Sequence, residues 1–242
     1  MTDQKIFVAS AESKAQAKQL RLFAILAWVV AMAGQIFAIL KLIHNQTLVW
    51  LIVAIVVILA LAITGSMLWK KANHLDPASE KDKVRFFIQT QLGAILGVLA
   101  FLPLVIFIFM NKDINGKTKG IAGAIAVVAL LVAGITGIDF NPASVEKYTD
   151  QINQQTDVLK KLVPSGNQMV YWTREGNKYH IYEDCQHIKG REGITKGTIK
   201  ESFEKRGISE LCLTCQSRAQ KENNIVPKAL INNIADSANK VK

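Results

Sequence analysis

Residues 48–69 read LVWLIVAIVVILALAITGSMLW, without one charged side chain. As an α-helix at about 1.5 Å per residue, this stretch is about 33 Å long, enough to cross a hydrocarbon core of about 30 Å. Three more runs of this kind surround it. Residues 22–43 read LFAILAWVVAMAGQIFAILKLI, residues 86–110 read FFIQTQLGAILGVLAFLPLVIFIFM, and residues 121–138 read IAGAIAVVALLVAGITGI. Each is flanked by charge, a pattern that buried core helices of a soluble protein do not need. The sequence therefore predicts an α-helical membrane protein with four transmembrane helices over residues 22–138. Half of the 242 residues are hydrophobic, in keeping with that class.

Residues 1–21 form a largely polar arm, and the run behind it is longer than the ~7–15 apolar residues of a secretory signal. It reads as a retained anchor. Lysine and arginine set the expected orientation. The arm holds Lys5, Lys14, Lys18 and Arg21, and the second loop holds Lys70, Lys71, Lys81, Lys83 and Arg85. The first loop has Lys41 at its edge, and the third has Lys112, Lys117 and Lys119. Nine basic residues against four place the arm and the second loop inside, and four spans return the C-terminus to the cytosol. The three lysines of the third loop pull the other way. The expected location is the inner (plasma) membrane, with both ends cytosolic.

The net charge of +10 does not by itself point to nucleic acid. Residues 1–138 hold 13 Lys/Arg and 6 Asp/Glu, an excess of 7, whereas residues 139–242 hold 16 and 13, an excess of 3. Most of the excess lies in the membrane half, where topology and anionic lipid account for it.

The spans contain no Asp, Glu or Arg, and the Lys41 side chain can snorkel. Proton relays and ion pathways normally need ionisable groups at depth. Gly93-Ala-Ile-Leu-Gly97 and the series Ala122, Ala126, Ala129, Ala133, Gly137 are small-residue seams that let helices approach closely. They predict packing within the bundle, with a homo-oligomer as the other reading. Pro103 predicts a kink in the third span, and Trp50 and Trp69 predict an aromatic belt at the two ends of the second.

Residues 139–164 read as a helical linker or stalk. Asn141 is the expected N-cap with Pro142 at the first helical position. Val145, Tyr148, Ile152, Leu159 and Leu162 line one face, with Gln155 at the missing core place. That face fits either a short coiled coil or a helix packed on its own tail. Residues 222–242 read as an amphipathic C-terminal helix, with apolar residues at 230, 231, 234, 238 and 241, that packs on the tail or lies on the membrane.

Residues 165–221 carry the chemistry. All three cysteines lie here: Cys185, Cys212 and Cys215. Cys212-Leu-Thr-Cys215 is a C-x2-C pair, whose spacing lets both thiolates reach one ion from a tight turn. A structural zinc takes four ligands, so Cys185 and one histidine complete the set. His180 is favoured, because four residues separate it from Cys185 and leave room to fold back. His187, two residues from Cys185, would require a sharp local kink. Residues 168–172 and 178–181 read as a hairpin ending at His180. Thr198-Ile-Lys-Glu201 is a capping box, and Gly207 fits the helix stop. Four protein ligands leave no open position for a catalytic water. No Ser/His/Asp arrangement or phosphate loop stands elsewhere, so the sequence predicts no enzyme.

The pattern Tyr-Trp-Thr, Tyr179-His180, Cys185, Gly207 and Cys212-x-x-Cys215 resembles the small bacterial YH…C…CxxC zinc modules, similar to the N-terminal zinc-binding domain of Ada DNA-repair proteins. The resemblance covers about residues 169–218 and no part of the membrane region. It implies a metal-stabilised α+β fold with His180, Cys185, Cys212 and Cys215 as zinc ligands. In Ada the first ligand is a cysteine that also accepts the methyl group. Here that place is His180, which cannot act as a thiolate nucleophile, so alkyl transfer does not carry over.

The expected function is therefore a multi-pass membrane protein displaying a cytosolic structural-zinc module to a protein partner. Two alternatives stand beside it. A membrane-tethered nucleic-acid binder is not favoured, because residues 165–221 hold only ten Lys/Arg against seven Asp/Glu. A channel or transporter regulated by zinc or thiol oxidation is the other.

Overall fold

The computed structural model describes residues 6–164 and 168–223. The chain divides into two compact units, one of Ala11–Ser144 and one that joins Met1–Ser10 to Val145–Lys242.

The first unit is helical. Its elements are α1 (Ala11–Lys41), a 3-10 turn (Asn45–Thr47), α2 (Leu48–Leu75), α3 (Lys83–Leu99), α4 (Leu102–Met110) and α5 (Gly116–Gly137). Taking α3 and α4 as one span, four segments are long and apolar enough to cross a membrane. Only 28–33% of the residues in each apolar window are buried inside the unit. The outward faces are nevertheless apolar: Val29, Phe37, Val56, Phe107 and Leu131 are all exposed. A soluble protein would not leave so much apolar surface in water, but lipid accepts it.

The interior is built on small residues. A Cβ on Gly97 would lie 2.7 Å from the carbonyl oxygen of Ala133, and one on Gly137 would lie 2.5 Å from Ala94 backbone atoms. The Gly93–Gly97 motif thus packs α3 on α5 within the chain. Trp28 of α1 fills the space left by Gly65 of α2, where a Cβ would meet the indole at 2.6 Å.

Two expectations for this unit need correction. Pro103 does more than kink the third span: the helix stops at Leu99 and restarts at Leu102. Proline has no N–H and crowds the preceding turn, so the ladder breaks there. Phe101 and Leu104 are fully buried at the break, which shields the freed backbone groups. Trp69 does not belong to an outer belt. It is only 8% exposed, its indole N–H donates to the Gln89 carbonyl at 3.0 Å, and its ring stands 5.6 Å from that of Trp28. Trp50, at the other end of α2, is exposed.

One end of the unit carries a polar cluster. Asp76 pairs with Arg21 at 3.0 Å and with Arg85 at 3.3 Å, tying α1, ten residues past its start, to the start of α3. Lys70 donates to the carbonyls of Thr136 and Ile138 at 2.8 and 2.7 Å, satisfying acceptors that the end of α5 leaves open.

The second unit is a small α+β body. Its elements are α6 (Val145–Leu162), β1 (Met169–Trp172), β2 (Lys178–Tyr179), β3 (Thr195–Thr198), α7 (Ile199–Arg206), β4 (Glu210–Leu211) and α8 (Leu213–Glu222). The expected helix after Pro142 begins three residues later, at Val145. Its buried face is Ile152, Thr156, Leu159 and Leu162, and it packs with the tail's own residues. Gln155, at the interrupted heptad place, accepts the Tyr179 hydroxyl at 2.8 Å. Asn223 closes the far end of α6 by donating to the Leu162 carbonyl at 2.8 Å.

The sheet topology differs from a plain hairpin. β1 pairs antiparallel with β3, Val170 opposite Gly197, and β2 pairs parallel with β4, Tyr179 opposite Leu211. The expected β1–β2 pairing survives as a single bridge between Tyr171 and His180. Gly197 is required beside β1, because a Cβ there would strike the Trp172 ring at 2.6 Å. The capping box is in place on α7. Glu201 N–H donates to the Thr198 side chain at 3.2 Å, and the Glu201 carboxylate accepts the Thr198 N–H at 2.8 Å. Gly207 ends the helix at φ 67°. The C-terminal amphipathic pattern, at residues 230–241, lies outside the described residues.

Candidate metal centre

His180 owes its position to two strands at once. On one side Tyr171 N–H donates to the His180 carbonyl at 2.8 Å, and His180 N–H donates back at 2.7 Å. On the other side the parallel β2–β4 register continues into Cys212, whose N–H donates to the Tyr179 carbonyl at 2.9 Å. The register therefore delivers His180 and Cys212 to neighbouring places. Cys212 then caps the N-terminus of α8, and Cys215 lies in its first turn.

Cys185 arrives by a different route. The chain leaves His180 through tight turns, with Cys185 N–H donating to Tyr182 at 3.3 Å. The Ile188 and Lys189 N–H groups donate to the Cys185 carbonyl at 2.9 and 2.8 Å, which holds the following turn. All four side chains are buried, and the three thiols form no disulfide.

The four residues His180, Cys185, Cys212 and Cys215 form one group whose ligand atoms all lie within 4.8 Å of one another. Cys215 Sγ is 3.7 Å from His180 Nδ1. A tetrahedral zinc with Zn–S of about 2.3 Å and Zn–N of about 2.0 Å sets neighbouring ligand atoms about 3.5–3.8 Å apart. The group thus fits one ion after small adjustments. No family model, curated protein or solved structure matches this chain.

The surroundings of the sulfurs are asymmetric. Burial pushes the Cys215 thiol up to about 12, against the backbone N–H groups of Tyr182 and Ile181 that point at it. Burial also works against a Cys212 thiolate. There the backbone hydrogen bonds from Cys215 and Thr214, with those from the Cys185 and Thr214 side chains, prevail and lower its pKa. Burial and the nearby His187 lower the pKa of His180, which favours the neutral imidazole that binds a metal. Four thiol and imidazole groups buried in one spot are poorly served by water. A cation supplies the charge that makes the thiolates favourable.

His187 stands outside the group. Its ring centroid is 6.4 Å from that of His180, it is exposed, and its Nε2 lies 3.1 Å from the Thr214 hydroxyl. Glu183 and Asp184 are exposed turn residues. Asp184 accepts two hydrogen bonds from Arg218, at 2.8 and 2.9 Å, which holds its carboxyl below the usual range. Arg218 also bonds Glu222 at 2.8 Å and lies 4.0 Å above the Tyr182 ring. This clamp ties the Cys185 turn to α8, and nothing in the spacing of those residues announces it.

A second feature is absent from any motif. Residues 6–9 run across α6 and α7. Phe7 is buried in contact with Tyr148 and Phe203, at ring distances of 5.1 and 5.8 Å. A four-residue segment outside any helix or strand has no periodicity to read, so only the structure reveals it.

Proposed function

We propose that this chain is a non-enzymatic, multi-pass inner-membrane protein that presents a zinc-held module on the cytosolic face for binding another protein. The buried cluster of one imidazole and three thiols carries the reading. A zinc bound by all four groups has no site for a substrate water, so its work is to hold the fold. Domains of about 60 residues or fewer bury little apolar core, and a metal supplies the missing stability. His180, Cys185, Cys212 and Cys215 would be the ligands. The excess of Lys and Arg in the arm and the second loop supports a cytosolic location for both ends. The packing of Phe7 into the C-terminal unit supports a common compartment for them.

One experiment tests fold, metal and side together. The full chain and its Cys212→Ser/Cys215→Ser variant are prepared as inverted membrane vesicles, analysed for zinc and treated with trypsin. The expected result is about one zinc per wild-type chain. The variant should be zinc-free and inserted as before, with a tail digested at least tenfold faster, on the order expected when a structural metal is lost. A wild-type chain without zinc, or a tail cut in intact spheroplasts instead of inverted vesicles, would refute the proposal.

A further inference from the structure

The four candidate ligands are closed off from solvent. His180, Cys185, Cys212 and Cys215 are between 1% and 6% exposed. An ion must reach them past the exposed residues beside them. Two short pieces of chain supply these: Gln186 and His187 after Cys185, and Leu213 and Thr214 between Cys212 and Cys215. His187 joins the two pieces. It follows Cys185 by two residues, and its Nε2 stands 3.1 Å from the Thr214 hydroxyl. Its ring centroid is 6.4 Å from that of His180, with the ring planes inclined by 38°.

The chemistry of the surroundings singles out this imidazole. Neutral imidazole is the commonest metal ligand near neutral pH, and in either tautomer the ring carries one nitrogen lone pair for a cation. Three carboxylates lie within two residues of a cysteine of the group: Glu183, Asp184 and Glu210. Two of them are engaged. Asp184 is paired with Arg218 at 2.8 Å, and Glu210 with Lys178 at 3.4 Å. Glu183, exposed on the turn ahead of Cys185, is the remaining acidic competitor. The gap between the two histidine rings is a little wider than two imidazoles sharing one ion at about 2.0 Å would show. The spacing that keeps His187 out of the resident set thus leaves it one short step from it.

We propose that His187 is the transfer ligand of this centre: it takes zinc from water, passes it to the buried set, and receives it again on release. The inference deepens the structural-zinc reading above and rests on it. The transfer is an exchange of ligands. The hydrated ion gives up a water to the His187 imidazole. The three sulfurs and the His180 nitrogen then displace the remaining waters and the His187 nitrogen, and each thiol releases its proton to solvent. His187 holds no bond to the ion in the final state. It therefore alters the rates of entry and exit alike and leaves the affinity unchanged. A residue that only latched the two pieces of chain together would act in the opposite sense, because its loss would let zinc move faster.

The test uses the full chain in detergent under reducing conditions, loaded with zinc of natural isotopic composition. An enriched zinc isotope is added in excess, and the bound zinc is followed by mass spectrometry after rapid desalting. His187→Ala should exchange at least about tenfold more slowly than wild type, the scale on which groups outside the ligand shell act. Its zinc content and melting temperature should match wild type, because the side chain is exposed. His187→Gln keeps a hydrogen-bonding group for Thr214 but no imidazole, and should be as slow as His187→Ala. Glu183→Gln should exchange at the wild-type rate. Exchange by His187→Ala as fast as wild type, or faster, would overturn the proposal, as would a wild-type rate in His187→Gln or a slowing in Glu183→Gln equal to that of His187→Ala. A wild-type chain that holds no zinc would refute the metal reading and this inference with it. A zinc-bound wild type beside an unslowed His187→Ala would refute this inference alone.

Discussion

His180 shows how one side chain is placed by its neighbours' main chain. Its own N–H and carbonyl bond β1, and the carbonyl before it bonds Cys212. The imidazole then has little choice but to face the thiols. The spacing favours His180 over His187, and His180 is the histidine that stands with the three cysteines. The Arg218 clamp was not legible. Asp184, Tyr182, Arg218 and Glu222 lie far apart in sequence and carry no motif. The clamp has a pH signature. The Tyr182 hydroxyl and Arg218 hold Glu222 below its ordinary pKa, and Arg218 does the same for Asp184. Native pKa values below the unfolded ones mean that the clamp contributes fully above about pH 4 and fades as pH falls through the native values. Arg218→Ala should therefore raise both carboxyl pKa values towards the ordinary range, measured by carboxyl NMR titration. Unchanged titration curves would show that the clamp is not formed in solution.

Elements were readable where a long pattern repeats and obscure where it does not. The spans declare themselves because twenty apolar residues outweigh any local exception. The α7 boundaries were equally plain, since Thr198, Glu201 and Gly207 each do a job that few other residues do. The strands are another matter. β2 and β4 are two residues long, too short for an alternating pattern, and their parallel pairing is fixed by tertiary contacts. The polar gap at Gln155 looked like a flawed coiled-coil core and proved to be the acceptor for a buried tyrosine. Packing of α3 on α5 allows a direct test. Gly97→Leu forces a side chain against the Ala133 backbone, and overpacking of this kind typically costs about 1–3 kcal/mol. The solubilised chain should lose thermal stability accordingly. Gly120→Ala, where the new methyl would meet no other part of the chain within 4 Å, should not lower the melting temperature, and alanine's better helix propensity should raise it slightly. Equal melting temperatures for Gly97→Leu and wild type would contradict the close α3–α5 contact.

At the scale of the molecule, the chain makes one unit from its middle and another from its two ends. The sequence announced the first unit and half of the second. The docking of residues 6–9 on α6 and α7 stayed hidden, because a lone phenylalanine in a polar arm has no signature of burial. The His/Cys cluster has the opposite character: its members are few, but their types and spacing mark them out as a group that could hold a metal ion. The second unit's core is built around that cluster, with Val170, Tyr179, Ile188 and Leu211 packed in the same group as the three cysteines. Metal and core should therefore be gained and lost together. The most direct measurement is zinc-edge X-ray absorption on the full chain purified from membranes. One zinc is expected, with three sulfurs at about 2.3 Å, one nitrogen at about 2.0 Å and no bound water. A shell dominated by oxygen, or no zinc in the preparation, would contradict it.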